Sequence, residues 1–174
     1  MAGNRADRCK VRVKICGITT VDNALAAVRA GADAIGLNFV GGPRQITLEQ
    51  ASEIVEALPA LVVPVALVRL ERGRLSDETL EFLGQHWISY VQIYGDISAA
   101  ILDGLTRYGL KPMPVVSVRD AEFADPVNCW LTEMEGPSPA AVVLDAYDPE
   151  HLGGTGKAFQ WQWVQEAASA GKLQ

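Results

Sequence analysis

Histidine, cysteine and long apolar runs are all scarce in this 174-residue chain, and each scarcity argues against a class of protein. The two histidines, His86 and His151, share no motif, which argues against a histidine-based triad or metal cluster. The three cysteines, Cys9, Cys16 and Cys129, form no CxxC pair, so neither a disulfide framework nor a cysteine zinc site is expected. No apolar run approaches the ~18 residues of a membrane helix, and the N-terminus lacks a signal-peptide core. A cytoplasmic protein that does not bind membranes is therefore expected.

Positive charge is also in the minority. Fifteen Lys and Arg against twenty-one Asp and Glu give a formal net charge of −6. Because nucleic acids and anionic membranes repel an acidic surface at long range, neither is an expected partner. A small phosphorylated substrate, held by a local basic site, is compatible with this balance. The composition, 49% hydrophobic and 21% charged, is typical of a globular protein, and the length suits a single domain over residues 1–174.

Short apolar runs alternate with amphipathic segments along the chain. Predicted strands cover residues 11–16, 32–39, 61–68, 88–94, 113–118 and 140–145, and predicted helices cover about 21–30, 47–58, 76–83, 98–108 and a segment from about 159. This alternation predicts an α/β fold with a parallel sheet and helical crossovers, while residues 119–137 have the weakest pattern. A doubly wound open sheet and a (β/α) barrel both fit. Six strands alone favour the open sheet, because a closed barrel needs eight.

The first predicted strand has two chemically different faces. Alternation places Arg12, Lys14 and Cys16 on one face, and Val11, Val13 and Ile15 on the other. In a barrel, the apolar face would pack under the helices and the polar face would point inward. Cys16 would then lie at the C-terminal rim as a candidate base, because a thiol beside a lysine is readily activated. The alternative is that Cys16 is a small buried apolar residue.

Candidate site residues also follow the second and sixth predicted strands. Asp145 ends the sixth strand at the edge where both architectures place their sites, although such an aspartate commonly caps a turn. The loop Gly153-Gly154-Thr155-Gly156-Lys157 leads into a helix, a setting that presents N–H groups to an anion, with a plain flexible loop as the alternative. It is not a Walker A loop, because His151 and Ala158 stand at key positions. Arg44 has the fork that suits a carboxylate or phosphate, although many surface arginines are simply solvated.

Taken in order, these motifs resemble those of the phosphoribosylanthranilate isomerases, enzymes of tryptophan biosynthesis built on a (β/α)₈ TIM barrel. The matching segments are Val13-Lys14-Ile15-Cys16-Gly17-Ile18-Thr19, Gly31-Ala32-Asp33-Ala34-Ile35-Gly36, Pro43-Arg44, Val91-Gln92 with Gly95, Leu144-Asp145, and Gly153-Gly154-Thr155-Gly156-Lys157 with Phe159 and Trp161. The resemblance implies a TIM-barrel family member with only about six βα units in this chain. A missing C-terminal segment is the preferred explanation. A second chain completing the barrel, as in a homo-oligomer, and a reduced relative that does not catalyse are the alternatives.

The resemblance also implies a reaction and roles for residues. The expected reaction is the Amadori rearrangement of N-(5′-phosphoribosyl)anthranilate, a small sugar phosphate, with no metal or organic cofactor. Asp145 would be the general acid that opens the furanose ring, and Cys16 the general base that removes the C2 proton. The expected substrate-binding residues are Arg44, for the anthranilate carboxylate, with Gln92, Lys14, Gly153, Gly154 and Gly156.

Several positions depart from the family pattern. They are Tyr94 in place of histidine, Gly42 in place of serine, Arg69 in place of asparagine and Gln160 in place of aspartate. The replacement at Gln160 removes an expected helix N-cap, which is expected to lower stability by about 1 kcal/mol. These departures bear on substrate fit more than on chemistry. Two other functions stay open: a different sugar-phosphate barrel enzyme with Lys14 as a Schiff-base lysine, and a non-catalytic binding module.

Overall fold

The computed structural model describes residues 11–133, 136–146 and 158–173. Its strands form one parallel sheet in chain order: β1 (Lys14–Cys16), β2 (Ala34–Asn38), β3 (Val63–Arg69), β4 (Tyr90–Tyr94), β5 (Lys111–Val118) and β6 (Val143–Ala146). The helices are α1 (Val21–Arg29), α2 (Leu48–Ala57), α3 (Asp77–Gln85), α4 (Ala99–Arg107), α5 (Ala124–Asn128) and α6 (Trp161–Ser169). Since the strand order never reverses, the sheet is the curled wall of a (β/α) barrel and not a doubly wound sheet. The predicted TIM-barrel class with six βα units is confirmed.

Most strands begin later than their apolar runs predict. β3 begins at Val63 because Leu61 adopts a left-handed backbone conformation (φ 73°), which no strand residue takes. β4 begins at Tyr90 because the N–H of Ile88 donates to the carbonyl of Leu83 at 2.9 Å and so closes the end of α3. The poorly patterned region 119–137 contains a 3₁₀ turn, α5 and a π-helical turn over Cys129–Glu133. Apolar runs thus located the strands, but tertiary contacts set their ends.

Two helix starts agree with the sequence, in which Thr47 followed three positions later by Gln50 predicts a capping box and Gln160 replaces the usual aspartate cap. The hydroxyl of Thr47 accepts from the N–H of Gln50 at 3.2 Å, and the amide oxygen of Gln50 accepts from the N–H of Thr47 at 3.0 Å, so α2 begins with a capping box. In contrast, α6 begins after Gln160 with no side-chain cap, as the loss of the usual aspartate predicted. No helix in the described part of the chain is long and apolar enough to cross a membrane.

The sheet separates an outer core from an inner core. Outward-facing residues Ile35, Leu37, Ala66, Val68, Val91 and Ile93 pack against the helix residues Ala24, Ile54, Phe82 and Leu83. The inner cluster is smaller and consists of Val65, Leu67, Tyr94 and Met113 with their partly buried neighbours. Because side chains alternate across a strand, Lys14, Gln92 and Asp145 belong to the inner face as well. Polar groups therefore share the interior with the inner apolar cluster.

The outer face of β1 differs from the prediction. Val11, Val13 and Ile15 are 80%, 43% and 38% exposed, so the prediction that they pack under the helices is wrong. The reason is that β1 pairs with β2 alone within the described ranges, and that the buried residue of α1, Ala24, joins the outer core that contains Ile35 of β2. The described residues therefore leave the outer face of the short first strand partly open to solvent.

Candidate functional site

A series of hydrogen bonds crosses the inner face of the sheet from β1 to β6. The ammonium of Lys14 donates to the amide oxygen of Gln92, and the Gln92 Nε2 donates to the Tyr94 hydroxyl at 2.9 Å. The Tyr94 hydroxyl donates to Asp145 Oδ2 at 3.2 Å. We call these four residues the interior chain. It connects three of the polar residues singled out in the sequence, which lie on three different strands.

Tyr94 is the central member of the interior chain and is only 7% exposed. Burial raises the pKa of its phenol well above the usual range, and the charge of Asp145, the hydrogen bond to Asp145 and the charge of Cys16 raise this pKa further. The hydrogen bond from Gln92 lowers that pKa. The phenol therefore stays protonated and available as a donor. Because the charges of Cys16 and Asp145 both act on it, the two predicted catalytic groups lie near the same hydroxyl.

Asp145 faces the interior from β6, which pairs with β5. Its side chain is half-buried, and each carboxyl oxygen has a protein donor. Oδ2 accepts from Tyr94, and Oδ1 accepts from the N–H of Ala146 at 2.9 Å. The alternative that Asp145 only caps a turn does not describe this position, since the carboxyl is bonded across the sheet.

Cys16 is the last residue of β1, and its free thiol is exposed. It pairs in register with Gly36 of β2, and a Cβ built on Gly36 would lie 2.5 Å from the sulfur. The absence of a side chain at Gly36 therefore makes room for the thiol. The alternative that Cys16 is a small buried core residue is wrong, because the side chain is open to solvent.

Arg44 lies over the end of β1, although it belongs to the loop between β2 and α2. Its Cδ, Nη1 and Nε atoms are 2.5, 2.8 and 2.9 Å from the position of a Cβ on Gly17, whose φ is +80°. The loop is braced by Asn38, which donates to the carbonyl of Gly41 at 2.9 Å and accepts from the N–H of Val40 at 2.9 Å. The guanidinium is thereby held at the same strand end as the exposed thiol.

The structure thus brings most of the predicted site residues together. Gln92 is 3% exposed, and both polar ends of its side chain are bonded to members of the interior chain, so its predicted contact with substrate stays a prediction. The predicted anion-binding positions Gly153, Gly154 and Gly156 lie outside the described residues. Tyr94 was noted in the sequence only as a departure from a pattern. Its position two residues after Gln92, on the same face of β4, is the signal that places it in the site.

A parallel barrel wall with titratable side chains at the carboxyl ends of its strands defines a barrel enzyme. The family model described as N-(5′-phosphoribosyl)anthranilate (PRA) isomerase matches residues 13–174. The N-(5′-phosphoribosyl)anthranilate isomerase of Pelobacter propionicus is 33% identical, over 94% of this chain and 72% of that protein. The isomerase of Pseudomonas fluorescens strain Pf-5 is 40% identical, over 91% of this chain and 71% of that protein. The crystal structure of phosphoribosyl anthranilate isomerase from Thermotoga maritima, 28% identical, matches with a TM-score of 0.73 over 95% of this chain and 74% of that one. The chain therefore belongs to the N-(5′-phosphoribosyl)anthranilate isomerase family.

Proposed function

We propose that this chain catalyses the isomerase step of tryptophan biosynthesis, in which N-(5′-phosphoribosyl)anthranilate becomes 1-(2-carboxyphenylamino)-1-deoxyribulose 5-phosphate. Membership of the family supports this reaction. The observation that carries it is that Cys16 and Asp145 both lie on the inner face of the sheet at the carboxyl ends of their strands, because the reaction needs an acid and a base on one small substrate. The substrate is a small sugar phosphate.

In the first step Asp145 donates a proton to the furanose ring oxygen. The bond between C1 and that oxygen breaks, and the anthranilate nitrogen lone pair forms the C=N bond of a protonated Schiff base. The carboxyl lies at the carboxyl end of β6, and its two oxygens are oriented by Tyr94 and by the N–H of Ala146. A fixed orientation favours this transfer, since general acids act only within hydrogen-bond reach of the accepting atom.

In the second step Cys16 removes the proton from C2. The electrons of the C–H bond form a C1–C2 double bond and neutralise the nitrogen, which gives an enolamine. Tautomerisation moves the proton of the C2 hydroxyl to C1 and leaves the ketone, so the reaction involves no net gain or loss of protons. The exposed thiol of Cys16 is open to a substrate above the strand ends. Because this thiol must stay reduced to act as a base, we propose a cytoplasmic location.

Arg44 is proposed to bind the anthranilate carboxylate. Its guanidinium lies over Gly17 at the end of β1, and a planar guanidinium can bind a carboxylate through two parallel N–H groups. Lys14 and Gln92 are proposed to form the floor of the same pocket. Gly153, Gly154 and Gly156 are proposed to present backbone N–H groups to the substrate.

The reaction is tested by following the fluorescence change as purified protein consumes N-(5′-phosphoribosyl)anthranilate. Asp145→Asn and Cys16→Ser are each expected to lower kcat by about a hundredfold or more, the range for removing a general acid or base. Matched controls are Asp125→Asn, on the exposed side of α5, and Cys129→Ser, in the π-helical turn; both should retain the wild-type rate. Absence of turnover by the wild type, or unchanged turnover by both site variants, would contradict the proposal.

A further inference from the structure

The hydrogen-bond directions in the interior chain follow from a single group. The ammonium of Lys14 has only donors, so the Gln92 atom facing it must be the amide oxygen. The other end of that amide is then the NH₂ group, which donates to the Tyr94 oxygen. Because the phenol accepts this bond while its pKa stays high, its single proton is directed to Asp145. The charge on β1 therefore sets the direction of the bond that reaches β6.

Tyr94 is anchored in the inner cluster, whereas Asp145 lies on a strand with one paired neighbour within the described residues. The ring of Tyr94 packs in the inner cluster with Val65, Leu67 and Met113, and its strand β4 pairs with neighbours on both sides. Asp145 lies 51 residues further along the chain, on a strand that has one paired neighbour in the described structure. The hydrogen bond thus connects the half-buried Asp145 carboxyl to a buried side chain of the inner cluster.

We propose that Tyr94 is a positioning residue that orients the Asp145 carboxyl toward the substrate, and that Lys14 acts through Gln92 to keep the Tyr94 hydroxyl pointing at Asp145. The inference rests on the proposed function, in which Asp145 is the general acid. It differs from a packing role because it depends on one hydrogen atom. Tyr94→Phe keeps the ring and its contacts and removes only the hydroxyl.

Steady-state kinetics separate the two roles. Tyr94→Phe is expected to lower kcat about tenfold to a hundredfold, the effect of losing one hydrogen bond to a charged group, while KM changes by less than about threefold. The matched control is Tyr90→Phe on the same face of β4, where the ring lies under the ammonium of Lys111; its kcat should equal that of the wild type. Tyr94→His should recover part of the lost rate, because imidazole also supplies an N–H donor. A wild-type kcat for Tyr94→Phe overturns the inference.

A double variant tests whether Tyr94 acts through Asp145. On the Asp145→Asn background, Tyr94→Phe is expected to cause little further loss of kcat, since residues that act as a unit give non-additive effects. Lys14→Met should lower kcat in the same direction, because the Gln92 amide is then free to reverse. Equal losses from Tyr94→Phe on the wild-type and Asp145→Asn backgrounds would show that Tyr94 acts independently, and the inference would fail.

A measurement on the resting protein does not depend on turnover. With ¹³C-labelled tyrosine, the Cζ resonance of Tyr94, assigned by its loss in Tyr94→Phe, should shift when Asp145→Ala removes the acceptor of its hydrogen bond. The resonance should stay in place in Asp125→Asn. An unchanged resonance in Asp145→Ala overturns the role of Tyr94. A shift in Asp145→Ala for a protein without turnover instead contradicts the proposed reaction and leaves the positioning contact in place.

Discussion

The Cys16 thiol occupies the space that Gly36 leaves open on the neighbouring strand. A Cβ on Gly36 would lie 2.5 Å from the Cys16 sulfur and 3.3 Å from the Cys16 Cα, and the two residues pair in register between β1 and β2. The sulfur could rotate away, but the backbone of Cys16 could move only by disturbing the pairing. The position of the proposed base therefore depends on Gly36, a residue without a reactive side chain.

Gly36→Ala is expected to lower kcat at least about tenfold by displacing the thiol, and to lower the free energy of unfolding by about 1–3 kcal/mol through overpacking. Turnover and urea denaturation measure the two effects. Gly84→Ala is the control, because a Cβ there meets nothing within 4 Å and α3 should gain slightly from alanine. Full activity in Gly36→Ala would show that the thiol position is not critical.

Gly17→Ala is expected to weaken substrate binding through Arg44. A Cβ at Gly17 would lie 2.5 Å from the Arg44 side chain, and the left-handed backbone there (φ +80°) adds strain of about 1–2 kcal/mol. The matched control is Gly109→Ala, with φ +78° but nothing within 4 Å. Both variants should lose similar stability in urea denaturation, whereas KM should rise, by about tenfold, only in Gly17→Ala. An unchanged KM would contradict the role proposed for Arg44.

Trp87→Gly is expected to stabilise the protein by up to about 1 kcal/mol. Trp87 lies in the turn that ends α3, with a left-handed backbone (φ 56°) and a side chain that is 92% exposed. In the corresponding turns after α1 and α4, the equivalent position is a glycine, Gly31 or Gly109. Trp87→Ala should bring little gain, because alanine keeps the left-handed strain. Thermal unfolding measures the difference, and the rate of turnover should not change, since the turn precedes β4 at the end of the sheet opposite the site. Equal stability of the two variants would exclude strain as the cause.

The raised pKa of Tyr94 predicts a loss of stability in alkaline solution. The folded phenol keeps its proton above pH 10, where an unfolded tyrosine loses it, so this stabilisation is complete below about pH 10 and declines as pH rises toward the folded pKa. From this group alone, the free energy of unfolding should fall by at most about 1.4 kcal/mol per pH unit. Urea denaturation between about pH 9 and 11 should give a shallower slope for Tyr94→Phe. Equal slopes would exclude a raised pKa.

Much of the site could be read from local pattern. The period of two along residues 11–16 placed Lys14 and Cys16 on one face, and the spacing of Thr47 and Gln50 predicted the cap of α2. These features depend on residues a few positions apart, whose relative geometry any strand or helix fixes. The choice between an open sheet and a barrel came only from the ordered motifs, because both architectures share the same alternation of strands and helices.

The sequence by itself determined which residues are polar, which face of a strand each occupies and which family the motifs resemble. Only the tertiary structure decided their contacts. Lys14 meets Gln92 across 78 residues, and Tyr94 meets Asp145 across 51, through the register and curvature of a sheet that no local pattern encodes. The sequence likewise did not predict the left-handed backbone conformations of Leu61 and Trp87, since an apolar residue at such a position is typical of the start of a strand. The order of residues determines which functional groups lie close together along the chain. Contacts between residues that are distant in sequence form only when the strands pair.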